Sequence, residues 1–471
     1  MPGRVFVLSF LLGLFSAYNT IGMNMKFVIG SMCLVSLLHA RAFDDRHIRE
    51  IQAFWAEEGR YQSGLPENYK LKGAWQVRLT VEGSVWLRNY SKSRGIGKTQ
   101  PNLVATSTRT DWENWINAKI AWDRANEALE ARKRNVELCG CEMPKLTIAT
   151  DPGAPPADLV AKVGQPPLFA EAVMPKLHRV TFDDSNRHAW MDNPDMRPRF
   201  EYYRFKEGVM DGGTPMRSMP EEAVSRLLKK AGIEGSVRKV FGAVSLLEGG
   251  FDSINTYDTG FVSVGFIQFA CLSDGAGSLG QVMLSQKLSD PSSYERDFRR
   301  FGLDVAPNGS MIALNISSGQ ELIGPAAAQQ IIKDKRLIGV FQRAGRLSEA
   351  NRVAQLQVAR QQYYPASDTV LVPVDGRILT GPIGTIIKSE AGLATLMDRK
   401  VNTGKLDPLL TVLQGIARAY KVQTFEDFGK HEREIVEKMR WRKSYLEDST
   451  LSQPVQNPDN NSQDQPAFPP R

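Results

Sequence analysis

The residue best placed for chemistry in this sequence is Glu248, at the end of an apolar stretch. Between Val237 and Glu248, apolar side chains recur at three- and four-residue steps, which predicts a helix with one buried face. Gly249-Gly250 then ends the helix, because glycine adopts the left-handed C-cap conformation at little cost. A carboxyl group there is poorly solvated and lies at the negative end of the helix dipole, so we expect its pKa to be raised. A general acid that works near neutral pH needs such a group.

The segment after Glu248 predicts a β-hairpin. Residues 253–258 and 261–269 are rich in β-forming residues, and Thr259-Gly260 supplies the turn. A helix, a carboxyl group and a polar hairpin in this order would put a groove beside an acid. The alternative is an ordinary helix end at which the Glu248 side chain points into solvent.

Two groups of residues about 150 positions apart form motifs. The first is E-G-G at 248–250, N-T-Y-D at 255–258 and G-F-I-Q-F at 265–269, and the second is L-M-D-R-K-V-N-T-G at 396–404. Together and in this order they resemble the lysozyme-like superfamily, which includes lytic transglycosylases, phage endolysins and chitosanases. The resemblance covers residues 231–447, and E-G-G departs from the more usual E-S-x-G or E-T-S.

The resemblance implies an enzyme that cleaves glycosidic bonds with Glu248 as the general acid. Of two candidate partner carboxylates, Asp252 and Asp258, it favours Asp258, which lies on the hairpin. A second carboxylate is optional, since lytic transglycosylases use one Glu and an internal attack by a substrate hydroxyl.

The resemblance also implies roles for other residues of the two motifs. Asn255, Tyr257 and Gln268 would bind sugar. Asp398 and Asn402 lie one turn apart on one helix face and are expected to fix that helix against the hairpin. The resemblance implies neither a metal nor a cofactor.

These expectations define two functions from different classes. The first is a secreted glycoside hydrolase or lytic transglycosylase that cleaves peptidoglycan or a related amino-sugar polymer. The alternative is a non-catalytic exported protein that binds or assembles cell wall on a lysozyme-like core, because fold alone does not fix function.

Length and charge set limits on these functions. The chain has 471 residues, of which 42% are hydrophobic, enough for two or three domains. Its net charge is +7, and without residues 1–42, which hold three basic residues and no acidic one, it is +4. Such a charge suits an anionic cell wall and is too low for a dedicated nucleic-acid binder.

The N-terminus predicts export to the periplasm or the cell exterior. Lys26, the apolar run 27–38 and Ala40-Arg41-Ala42 have the order of a signal peptide with an A-x-A cleavage site, and Met23 or Met25 would be its start. The apolar runs are too short to span a membrane, so we expect no stable span after cleavage. The alternative is a short anchor that stays attached.

The fold class predicted is α+β and mainly helical, with a lysozyme-like core that carries a small hairpin. The predicted divisions are a signal peptide (1–42), an α+β N-terminal domain (43–142), a Pro-rich linker (143–175), a catalytic domain (176–447) and a disordered tail (448–471). Within the N-terminal domain, residues 74–90 alternate around Glu82-Gly83 and predict a strand pair, whereas 111–134 predicts a long helix.

Cysteine and histidine spacing supports no metal site. Export permits disulfides, so a bridge from Cys139 or Cys141 to Cys271 and three free thiols remain alternatives. One further group, the residues His178, Asp183, Asp184 and His188, has metal-ligand side chains. Its spacing matches no known site, and a loop of hydrogen-bonded polar residues is the favoured interpretation.

Overall fold

The computed structural model describes residues 41–95, 110–143, 145–192, 196–245 and 249–455. Of the predicted signal peptide only Arg41 and Ala42 are included, and Glu248 lies outside the described residues. From Ala42 onward the chain forms one compact unit.

The structure is a mixture of helices and small sheets, with 50% of residues in helices and 15% in strands. This confirms the predicted α+β class at a coarse level. The helices are α1 (Asp45–Ala56), α2 (Tyr69–Lys72), α3 (Val81–Ser93), α4 (Thr110–Cys139), α5 (Ala157–Val163), α6 (Glu221–Lys230), α7 (Gly235–Ser245), α8 (Ser278–Ser289), α9 (Pro291–Asp297), α10 (Pro325–Lys333), α11 (Lys335–Leu347), α12 (Glu349–Tyr363), α13 (Ile383–Ile386), α14 (Glu390–Thr403), α15 (Leu409–Tyr420) and α16 (Glu432–Met439). In the part of the chain that is described, none of these helices is both long and apolar enough to cross a bilayer.

The strands are short and pair antiparallel in five sheets. They are β1 (Tyr61–Gly64), β2 (Gln76–Leu79), β3 (Ala170–Val173), β4 (Leu177–Thr181), β5 (Arg187–Met191), β6 (Met210–Asp211), β7 (Ile254–Asn255), β8 (Ser263–Val264), β9 (Phe269–Ala270), β10 (Leu303–Val305), β11 (Met311–Asn315), β12 (Gln320–Ile323), β13 (Thr369–Val374) and β14 (Arg377–Pro382). The sheet orders are β1-β4-β5, β2-β3, β6-β7-β8-β9, β10-β11-β12 and β13-β14.

Buried apolar side chains form a large and a small core. The large core extends from Phe43 to Leu451 and includes the hairpin and α14. The small core joins α3, the first half of α4 and Phe169. Trp112 and Trp115 of α4 lie in this small core, so these tryptophans pack internally.

The division into an N-terminal domain (43–142) and a catalytic domain (176–447) stays a prediction. In the structure, residues of these two ranges contact each other. Strand β1 pairs with β4, with Tyr61 opposite Val180. The buried Trp55 indole of α1 donates a hydrogen bond to the Phe301 carbonyl at 3.1 Å. Residues on both sides of the boundary therefore share one sheet and one core.

The predicted strand pair at 74–90 is wrong in its second half. Strand β2 is present, but it pairs with β3, and the chain then turns into α3. The Thr80 hydroxyl accepts a hydrogen bond from the Gly83 N–H at 2.9 Å, which caps α3. Glu82-Gly83 thus lies in a first helical turn, and Trp86 and Tyr90 face the small core.

Two further expectations differ from the structure. Cys139 is joined in a disulfide to Cys141, and Cys271 is a buried free thiol, so no bridge reaches Cys271. The first residues of the predicted disordered tail are docked on α14, where the Ser452 N–H donates to a Glu390 carboxylate oxygen at 2.8 Å. The tail beyond residue 455 lies outside the described residues.

His188 of β5 makes stability depend on pH, because its imidazole is 2% exposed. Burial first, and the nearby Arg346 charge second, lower the pKa of His188 to about 4. Between this value and the ordinary pKa of about 6.5, the unfolded chain binds a proton that the folded chain does not. Folding is therefore destabilised as the pH falls through that window.

We expect the free energy of unfolding to fall between pH 7 and pH 5, with about 2 kcal/mol of that fall due to His188. His188→Phe and His188→Gln should both remove this share, because neither side chain titrates, although they pack differently. Urea unfolding at the two pH values measures it. A wild-type-like pH dependence in both variants would contradict the assignment to His188.

Candidate functional site

A cleft of about 1370 Å³ lies between the hairpin and α14. Its described lining comes from five parts of the chain: 197–202, 255–278, 362–363, 400–404 and 440–442. We call this space the hairpin cleft. It brings together the two sequence motifs, which are about 150 residues apart in the chain.

The hairpin wall of the cleft is built around the predicted turn. The Phe261 N–H donates to the Asp258 carbonyl at 3.1 Å, which confirms a turn at Thr259-Gly260. The predicted strand 261–269 is wrong, because a second turn at 265–268 divides it into β8 and β9, which pair with each other. The Asp258 carboxylate accepts hydrogen bonds from the Asn255 side-chain amide and from the Gly260 N–H, each at 2.8 Å. Asn255 and Asp258 both line the cleft, but these bonds also fix the shape of the turn.

Gln268 lies deeper along the same wall. Its backbone has a φ of +56°, a conformation that side-chain-bearing residues rarely adopt. Its amide nitrogen donates to the Ser253 hydroxyl at 2.7 Å and to the Gly265 carbonyl at 3.1 Å. These bonds hold the Gln268 side chain against the hairpin, and Gln268 also lines the cleft.

The opposite wall is the end of α14, held by an ion pair of which only the carboxylate is buried. Asp398 is 1% exposed and accepts a hydrogen bond from the Arg442 Nε at 2.9 Å. The Asn402 amide donates to the Asp398 carbonyl at 2.6 Å. Asp398 therefore fixes α14 against residues 440–442 and not against the hairpin, whereas Asn402 lines the cleft.

Aromatic side chains extend the cleft at both ends. Phe200 and Tyr202 line it from one side, and Trp441 lines it from the other. Tyr257 is not among the lining residues, but its ring packs edge-on against Phe200, with centroids 5.7 Å apart. Burial, and then the Asp258 charge, raise the pKa of Tyr257 to about 12, so its phenol stays neutral.

The described lining carries more positive than negative charge. Asp258 is its only carboxylate among the residues described, against Arg197, Lys400, Arg440 and Arg442. Lys400 is paired with Asp368 at 2.5 Å and Arg442 with Asp398, whereas Arg197 and Arg440 are exposed. The hairpin cleft thus suits a ligand with negative charges.

Glu248 lies outside the described residues, but its surroundings in the chain are defined on both sides. Helix α7, which precedes it, packs against α14. After it, Gly249 packs so closely on Ser253 that a Cβ at Gly249 would come within 2.8 Å of the Ser253 Cβ. Ser253 in turn bonds to Gln268 of the hairpin cleft.

Other candidate residues have structural partners. Asp252 is 1% exposed and binds Arg346 at 2.9 Å and the Thr214 N–H at 2.7 Å, so it is not a free partner carboxylate. Among the candidate metal ligands, His178 bonds to Asp192 at 3.0 Å and Asp184 pairs with Arg343 at 2.7 Å.

Asp183 is paired with Arg300. No cluster of three or more His, Cys, Asp or Glu residues that could hold a metal occurs in the described ranges.

Sequence reasoning missed the aromatic and cationic part of the cleft. Phe200 and Tyr202 lie outside both motifs, and Trp441 falls in a segment, 425–446, whose pattern predicts a helix; the structure ends α16 at Met439, before Trp441. The one available signal was composition, since R-W-R at 440–442 combines an aromatic ring with two cations. Comparison with protein-family models, with curated proteins and with solved structures finds no match to this chain.

We expect Asp398→Asn to lower the free energy of unfolding by about 2 kcal/mol, because it leaves the Arg442 charge without its buried partner. This expected loss of stability is smaller than that for a fully buried ion pair, because the Arg442 side chain is 32% exposed. Urea unfolding measures the change, and Asp375→Asn on an exposed turn is the matched control. Equal stability of the two variants would refute this role of Asp398.

Proposed function

We propose that this protein is exported and that its hairpin cleft binds and cleaves an anionic amino-sugar polysaccharide, of which peptidoglycan is the first candidate. The single observation that carries the proposal is the convergence of the two motifs. Asn255, Asp258 and Gln268 from the first and Asn402 from the second line one cleft. Each motif alone is weak, but a shared cleft supports the interpretation as a lysozyme-like core.

The lining supports a polymer with sugar rings and carboxylates. Tyr202, Phe200 and Trp441 line the cleft among polar residues, a mixture common where a ligand is partly apolar and partly wet. Arg197 and Arg440 add positive charge at the cleft. A neutral polymer would gain hydrogen bonds but no ion pair from these cations.

The proposed acid is Glu248. It would donate its proton to the glycosidic oxygen as the bond from that oxygen to C1 breaks, leaving an oxocarbenium-like centre. The contact of Gly249 with Ser253, and of Ser253 with Gln268, supports a position for this acid beside the hairpin wall. A substrate hydroxyl would then attack C1 and give its proton to the Glu248 carboxylate, which restores the acid; Asp258 is already engaged by Asn255 and Gly260.

One observation favours the non-catalytic alternative. Among the described lining residues, Asp258 is the only carboxylate, and its hydrogen bonds give it a structural role in the turn. If Glu248 does not act as an acid, the described part of the cleft supplies polymer binding alone. The protein would then be a wall-binding or assembly protein.

We expect Glu248→Gln to reduce the cleavage of cell-wall material by a factor of about 10² to 10⁴, because Gln is nearly isosteric but cannot deliver a proton. Zymography and release of soluble fragments measure the loss. Glu234→Gln, at an exposed position before α7, is the matched control and should keep full activity. Unchanged clearing by Glu248→Gln would refute Glu248 as the acid.

Asp258→Asn separates the two mechanisms. A single-acid transglycosylase predicts a modest decrease in rate and a 1,6-anhydro product. A hydrolase with two catalytic carboxylates predicts a loss as large as that of Glu248→Gln and a reducing-end product. Mass spectrometry of the fragments distinguishes these products.

We expect the double variant Arg197→Gln/Arg440→Gln to bind carboxylate-bearing glycan strands about tenfold more weakly at low salt, and the difference to shrink as salt screens the charges. Arg187→Gln/Arg217→Gln removes the same charge from exposed positions outside the cleft and is the control. Equilibrium binding to the glycan and to its amidated form measures the effect. Tighter binding to a single-stranded oligonucleotide than to the glycan would contradict a polysaccharide ligand.

A further inference from the structure

Phe43, the residue after the predicted cleavage site, is built into the fold. Its side chain is fully buried in the large core, and the Arg299 guanidinium lies over its ring at 5.9 Å. The next residue, Asp44, caps α1 by accepting a hydrogen bond from the His47 N–H at 2.9 Å. The fold therefore holds the residue that processing would make the first one, and it also contacts Ala42, whose carbonyl accepts a hydrogen bond from Arg299.

The backbone nitrogen of Phe43 has an acidic partner. It donates a hydrogen bond to the Glu321 carboxylate at 3.0 Å. Glu321 lies on β12, opposite Leu314 of β11, and α1 packs on this sheet through the hydrogen bond from Gln52 to the Ile316 carbonyl at 2.9 Å. The Phe43 amide makes a charge-assisted hydrogen bond to this carboxylate, and an ammonium group at the same atom would make an ion pair with it.

We propose that hydrolysis of the Ala42–Phe43 peptide bond creates an α-ammonium group on Phe43 that Glu321 holds in an ion pair. Water supplies the atoms: its oxygen becomes part of the Ala42 carboxylate, and its two hydrogens go as protons to the Phe43 nitrogen. Two independent features meet at this bond, namely the A-x-A sequence before it and the carboxylate beside the Phe43 nitrogen. The compact unit begins one residue earlier, at Ala42. The inference is independent of the reaction proposed for the hairpin cleft.

The ion pair would make the new terminus chemically distinct. An α-amino group ordinarily has a pKa of about 8, and a neighbouring carboxylate raises it. Only the deprotonated amine attacks an acylating reagent, so a paired terminus should react slowly at neutral pH. Each unit by which the pKa rises lowers the reactive fraction about tenfold.

The test begins with the full-length chain produced in an exporting bacterial host. N-terminal sequencing should give Phe43 as the first residue of the exported protein. The native protein is then treated with acetic anhydride at pH 7, and acetylation of the Phe43 amine is followed by mass spectrometry. We expect it to be about tenfold slower in the wild-type protein than in Glu321→Gln.

Glu50→Gln is the matched control, since it removes a carboxylate from exposed α1 and should leave the slow rate unchanged. If Glu321→Gln does not accumulate, the wild-type rates in native and urea-denatured protein decide the question, and the native rate should be the slower by about tenfold. A first residue other than Phe43 would overturn the proposal. Equal acetylation rates with and without Glu321, or with and without urea, would also overturn it.

Discussion

The hairpin wall depends on one buried side chain, Gln355 of α12. Its amide nitrogen donates to the Phe251 carbonyl at 2.9 Å and to the Asn351 side chain at 2.8 Å, and its oxygen accepts from the Phe266 N–H at 3.4 Å. The Asn351 side-chain amide nitrogen in turn donates a hydrogen bond to the side-chain oxygen of Gln286, in α8, at 3.0 Å. Because buried polar groups without partners cost about 1–3 kcal/mol each, this chain of amides fixes the hairpin on α8 and α12.

Glycine makes this arrangement possible at one position. Gly265 has a φ of +87°, and a Cβ there would come within 2.1 Å of the Gln355 amide oxygen. The second wall of the cleft is the end of α14. The ion pair of Asp398 with Arg442 holds this wall independently of the hairpin. The hairpin cleft is the space between two walls that are separately anchored, which allows residues far apart in sequence to act on one ligand.

Part of this arrangement follows from the sequence. Thr259-Gly260 has turn chemistry that decides the local structure, and this turn is present. The alternation in residues 74–90 is compatible with a strand pair. The second half forms α3 instead, because the Thr80 hydroxyl caps the first helical turn. Gln355 and Trp441 could not be assigned, because their roles depend on partners distant in the chain that no period reveals.

The central claim is that both motifs serve one polymer-binding cleft. A crystal structure of the protein soaked with a short glycan of alternating N-acetylglucosamine and N-acetylmuramic acid tests this most directly. The account predicts sugar rings along the cleft in contact with Tyr202, Gln268 and Asn402, with a carboxylate near Arg197 or Arg440. Sugar bound only at another surface, or no sugar at concentrations that saturate binding in solution, would contradict it.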